Sequence, residues 1–91
     1  MRMSTIDRVL IVEDHRSAAK MLRQIIESVF DSSTIVVAET LAAGMRAISE
    51  YDFQLTWIDL GLPNGRSVDL IEVLAVSQTT FIVVTTTFDD D

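Results

Sequence analysis

Cysteine is absent from the chain, so neither disulfides nor thiolate metal sites hold it together. That absence fits a reducing compartment, and a cytoplasmic protein is the expectation. Lysine is nearly absent: Lys20 is the only one. Seven basic residues face fourteen acidic ones, for a net charge of −7. Nucleic-acid binding needs clustered cations to displace counterions, so no direct nucleic-acid contact is expected from this chain. No apolar stretch approaches the roughly 20 residues of a membrane span. The polar start, Met1 to Ile6, lacks the apolar core of a signal peptide. There are no repeats and no interdomain linker, and proline occurs once, at Pro63.

What is present suits one small globular domain: 91 residues, 48% hydrophobic. Apolar runs and helical stripes alternate along it. Arg8 to Val12 reads as a strand. Arg16 to Phe30 reads as a helix, with Ala18, Met21, Leu22, Ile25, Ile26 and Val29 at helical spacing and Asp14 or Ser17 available as its cap. Thr34 to Ala38 is rich in β-branched residues and reads as a second strand. Thr40 is placed to cap a helix from Leu41 to Glu50, whose apolar face is Leu41, Met45 and Ile48. Gly44 either weakens that helix or allows close packing. Leu55 to Ile58 forms a third strand, Ser67 to about Val76 a third helix, and Phe81 to Thr85 or Thr86 a fourth strand. This βαβαβαβ order predicts a parallel sheet with helices on both faces and right-handed crossovers.

Asp59 is the most informative residue. It ends the run Leu55-Thr56-Trp57-Ile58 and precedes Leu60-Gly61-Leu62-Pro63-Asn64-Gly65. A short apolar run bounded by Gly and Pro reads as a buried strand entering a loop. Asp59 therefore falls at the carboxyl end of a central strand, where open α/β sheets bind ligands. The first strand ends in the same way, on Glu13 and Asp14. Three carboxylates at one sheet edge imply a divalent cation, because unpaired they repel at close range. The plainer reading of Glu13 and Asp14 is a pair of acids favoured near a helix N-terminus. His15 reads as a surface residue, and Trp57 as core.

Three segments together resemble the receiver domain of bacterial two-component response regulators, in wording closest to those carrying a C-terminal helix-turn-helix output domain. They are Val9-Leu10-Ile11-Val12-Glu13-Asp14-His15, Ile58-Asp59-Leu60-Gly61-Leu62-Pro63-Asn64-Gly65, and Ile82-Val83-Val84-Thr85-Thr86-Thr87-Phe88-Asp89-Asp90. The resemblance implies a flavodoxin-like, doubly wound parallel sheet in strand order 2-1-3-4. It further implies that residues 1–91 form a single receiver domain, incomplete after its fourth strand, lacking the fourth helix, fifth strand and fifth helix. Asp59 matches the residue that accepts a phosphoryl group from a partner histidine kinase or phosphotransfer protein. Asp14 matches the direct Mg²⁺ ligand, Glu13 the acid that reaches the metal through water, and Gly61 the position whose carbonyl coordinates it. Thr86 matches the switch hydroxyl, being two residues before Phe88, with Thr85 as the alternative register. The chemistry suits the residues: Mg²⁺ takes oxygen ligands and retains waters, and carboxylates act as nucleophiles in phosphoryl transfer.

The departures from the family pattern are also specific. Lys20 lies in the first helix and does not match the fifth-strand lysine, which is missing here. Ser67 stands where the family often has glycine, and Thr87 where it has a small residue. The expected function is a phosphorylation switch, not an enzyme, which in an intact protein controls transcription. The alternative is a degenerate or truncated receiver serving as an interaction module, in a homodimer or strand-exchanged oligomer through the exposed fourth strand. An aspartyl-phosphate hydrolase tends to carry a second acid two residues after the nucleophile, where this chain has Gly61.

Overall fold

The computed structural model describes residues 6–62 and 66–86. Pro63, Asn64, Gly65, Thr87, Phe88 and the terminal Asp89, Asp90 and Asp91 lie outside the described residues. Four strands and three helices alternate: β1 (Arg8–Val12), α1 (Arg16–Val29), β2 (Thr34–Ala38), α2 (Leu41–Glu50), β3 (Leu55–Asp59), α3 (Ser67–Ser77) and β4 (Phe81–Thr85). All pairings are parallel and the order is β2-β1-β3-β4. The expected doubly wound sheet in order 2-1-3-4 is present, with β3 one residue longer than the apolar pattern suggested. Among the described residues, no helix is long and apolar enough to cross a membrane.

Side chains alternate across a strand, so β1 can feed two cores. Leu10 and Val12 join Ile58, Leu41, Ile48, Leu70 and Leu74 beneath α2 and α3. Val9 and Ile11 join Leu22 and Ile26 beneath α1. These four apolar β1 side chains are fully buried, and each such Val, Leu or Ile contributes about 1.5–3 kcal/mol of transfer free energy. Gly44 serves close packing: a Cβ there would sit 3.3 Å from Val12 Cγ2 and 3.4 Å from Leu70 Cδ2. The missing side chain lets α2 lie tightly over β1 and α3.

Three details correct the sequence reading. Neither Asp14 nor Ser17 caps α1: His15 is the N-cap, with no side-chain capping bond. The Asp14 carboxylate is instead gathered into the acidic cluster described below. The α1 stripe is only partly used. Ala19, Leu22 and Ile26 are buried, whereas Met21, Ile25 and Val29 are at least half exposed. The core on this face takes in Val9 and Ile11 of β1 with Ile35, Val37, Leu55 and Trp57 around them, and the outer side of the apolar stripe lies beyond it. Trp57 is half-buried at the margin of the α1 core, not central to it. In contrast, Thr40 caps α2 as expected, its Oγ1 accepting from the Ala43 N–H at 3.0 Å.

Two glutamines tie the amino edge of the sheet. Gln54 Oε1 accepts from the backbone N–H groups of Asp7 and Arg8 at 3.0 and 2.8 Å. Gln78, just past α3, accepts from Phe53 N–H at 2.8 Å and donates to the carbonyls of Ile48 and Tyr51 at 3.0 and 2.9 Å. One side chain thus joins the end of α2, the approach to β3 and the end of α3. Replacing Gln78 with Ala leaves three backbone groups without that partner. We expect a loss of about 2 kcal/mol, since unpaired, partly buried polar groups cost about 1–3 kcal/mol. For a domain of this size that is a fall of about 8–16 °C in Tm. Thermal melts of the two chains check it, and an unchanged Tm refutes this bridging role.

Candidate functional site

The site is built by the β1–β3 pairing. Val12 is the register partner of Ile58, so the next residues, Glu13 just past β1 and Asp59 at the end of β3, stand side by side. Glu13 is anchored by its own N–H, which donates to Ala38 of β2 at 2.9 Å. On the other side Asp59 pairs in register with Thr85, whose carbonyl accepts from Leu60 N–H at 2.7 Å. Four side chains converge here. Glu13, Asp14, His15 and Asp59 each offer a ligand atom, and these atoms all lie within 4.8 Å of one another. Asp59 and Glu13 are buried, at 1% and 6% exposure, while Asp14 is partly exposed and His15 exposed.

Local contacts hold the carboxylates in place. The Gly61 N–H donates to Asp59 Oδ1 at 2.8 Å, so this turn residue reaches the site through its amide. The buried Ser67 hydroxyl donates to the Asp59 carbonyl at 2.9 Å, locking the end of β3 to the start of α3. Glu13 Oε2 accepts from the His15 N–H at 3.1 Å. His15 Nδ1 stands 3.3 Å from Glu13 Oε2 and 3.2 Å from Asp14 Oδ1. The second approach lacks hydrogen-bond geometry, and the buried Asp14 Oδ1 has no hydrogen-bond partner among the described residues. An orphaned carboxylate oxygen facing two further acids fits a hard divalent cation, which takes such oxygens as ligands. Thr86 is brought to the same edge, exposed and one residue beyond the register partner of Asp59.

Burial is the main force raising the Glu13 pKa above its ordinary value, and the Asp59 charge pushes the same way. The His15 amide works against both by stabilising the carboxylate. The His15 imidazole is shifted upward, chiefly by its hydrogen bond to Glu13 and then by the Asp14 charge. Sequence reasoning brought Glu13, Asp14, Asp59, Gly61 and Thr86 to this edge. His15 is exposed, as the sequence reading had it, but its contact with Glu13 and Asp14 and the anchoring bond of Ser67 were not anticipated. The adjacency of His15 to two acids was the available signal; nothing in the sequence signalled the Ser67 bond.

A parallel doubly wound sheet with a buried aspartate and two neighbouring acids at its carboxyl edge defines an α/β domain of the receiver type. The sequence matches the response regulator receiver domain family over residues 9–91, and the chain belongs to that family. It is 36% identical over 66 residues to the KDP operon transcriptional regulatory protein KdpE of Escherichia coli (strain K12), a match covering 72% of this chain. It spans only 28% of the length of that protein. Its fold resembles the CheY-like response regulator receiver domain from Methylobacillus flagellatus, with TM-score 0.79 and 23% identity over 96% of this chain and 75% of that one. It also resembles a response regulator protein from Burkholderia pseudomallei with a phosphorylated aspartic acid, calcium ion and citrate. There the TM-score is 0.79 and the identity 21%, over 91% of this chain and 48% of that one.

The raised Glu13 pKa gives a signed prediction for the metal-free protein. The folded state holds this proton more tightly than the unfolded chain, whose value is near 4.5. The contribution of Glu13 to stability is therefore complete below pH 4.5 and lost as pH rises through the raised folded value. Glu13→Gln removes that loss. In EDTA, the Tm of the unsubstituted chain should fall relative to Glu13→Gln as pH rises from 4.5. Parallel Tm curves for the two chains would contradict this.

Proposed function

We propose that this domain is a phosphorylation switch in which Asp59 accepts a phosphoryl group from a partner histidine kinase or phosphotransfer protein. The observation that carries the proposal is the buried Asp59 carboxylate, held by the Gly61 amide within 4.8 Å of the Glu13 and Asp14 ligand atoms. Asp59 attacks the phosphorus of a phosphoimidazole on the partner. A P–O bond forms, the P–N bond breaks, and its electron pair leaves on the imidazole. The Gly61 N–H fixes the rotation of the attacking carboxylate. The orphaned Asp14 oxygen and Asp59 are assigned as direct ligands of a Mg²⁺ ion, Gly61 as a carbonyl ligand and Glu13 as the acid that reaches it through water. When bound, the ion neutralises charge on the phosphoryl oxygens and on the acids. The Thr86 hydroxyl is assigned to the phosphoryl group once transferred, acting as a switch that carries the new charge to partner contacts. The phosphorylated aspartic acid and calcium ion of the Burkholderia protein support this reading.

By analogy with the Escherichia coli regulator, the whole protein is proposed to control transcription from the cytoplasm, with DNA contacts made outside this chain. A second reading, an interaction module, is favoured by one observation. β4 is the outer strand of the described sheet, and its Phe81 and Val84 are 73% and 45% exposed. Pairing of that edge would give a homodimer or a strand-exchanged oligomer.

Intact-mass measurement after incubation with Mg²⁺ and a small phosphodonor separates the two. The switch reading expects one added phosphoryl group, lost in Asp59→Asn and in EDTA. A folded chain that gains no adduct, and that elutes as a dimer, would sink the switch reading and leave the module.

A further inference from the structure

Outside the acidic site, the structure has a half-open groove of about 260 Å³ between α1 and the carboxyl end of β2. Its rim carries Arg16, Lys20 and Arg23. These positions are spaced i, i+4 and i+7, so the three side chains share one flank of α1. They are three of the seven basic residues in a chain of net charge −7. A purely solvated helix face would interleave acids with them. Here the Arg23 guanidinium reaches Glu27 at 3.4 Å, while Arg16 and Lys20 have no ion-pair partner among the described residues. Arg16 and Lys20 repel each other along the helix, and the first turn of α1 holds no acid to offset them. The floor, by contrast, is apolar, formed by buried Ala19 and half-buried Val37. The methylene stems of the basic residues extend that apolar surface.

We propose that this groove binds a small organic anion, with its carboxylate or phosphate head between Arg16 and Lys20 and its apolar body on Ala19 and Val37. The volume is below the roughly 300–1,000 Å³ of pockets for drug-sized ligands, which limits the occupant to a compact molecule. Glu39 and Glu13 close the acidic end and set the orientation, since the anionic head is repelled from them. The site is formed by described residues of α1 and β2 and of the segments that follow β1 and β2. The proposal does not rest on phosphorylation at Asp59.

The test is a titration of the ¹⁵N-labelled full chain in EDTA at constant ionic strength, with benzoate and phenyl phosphate as probes. Saturable amide shifts at Arg16, Ala19, Lys20 and Val37 are expected, and the tighter probe identifies the preferred head group. Lys20→Ala should weaken binding about fivefold, the size of one exposed charge contact. Glu39→Gln should tighten it by about two- to fivefold through lost repulsion. A damaged fold cannot produce that gain. Shifts that rise linearly without saturating, saturation mapped to another surface, or equal affinities in all three chains would each overturn the proposal.

Discussion

The pairing of β1 with β3 is the constraint on which the rest depends. Register within a parallel ladder is fixed by which side chains must be buried, and a slip of one residue exchanges the two faces. Here Val12 opposite Ile58 keeps Leu10, Val12 and Ile58 under α2 and α3, and Val9 and Ile11 under α1. The same register delivers Glu13 and Asp59 to one edge. Core packing and site geometry therefore have one cause. A substitution that shifted the ladder would scatter the acids while it unpacked both cores.

The cluster sets local electrostatics against that packing. Burial and the Asp59 charge both disfavour ionised Glu13, and hydrogen bonds from the His15 amide and imidazole oppose them. The fold tolerates the conflict because the backbone around it is tied from several directions. Glu13 is bonded to β2, Leu60 to β4, and the Asp59 carbonyl to Ser67 of α3. Amide hydrogen bonds from Gly61 and His15 also hold the Asp59 and Glu13 carboxylates, so the acids stay together and their charges are available to a cation. Glu13 also borders the basic groove. A cation at the cluster and an anion in the groove would each reduce the repulsion that the other meets there, and such coupling is reciprocal.

Much of this was legible in the order of residues. The β-branched runs marked the four strands, and their alternation with helical stripes marked a parallel sheet. Thr40 announced its cap three residues before the amide it holds. The carboxylates were legible because the pair Glu13-Asp14 and the single Asp59 each follow an apolar run directly. The exposed half of the α1 stripe was not, because helical periodicity reports which residues are apolar and not how wide a surface the sheet offers them. Gln54 and Gln78 were also silent: a glutamine in a connecting segment looks the same whether it faces water or joins three elements.

The sequence by itself determined the strand and helix identities, the two-faced burial of β1 and the arrival of three acids at strand ends, since these follow from local periodicity and spacing. Only the tertiary structure decided that His15 joins the acids, that Gly61 and Ser67 fasten Asp59, and that Arg16, Lys20 and Arg23 border a cavity. Those relations link residues on separate elements, or depend on the rotation of a side chain. They are set when the sheet register and the helix packing close together, not by any local pattern in the chain.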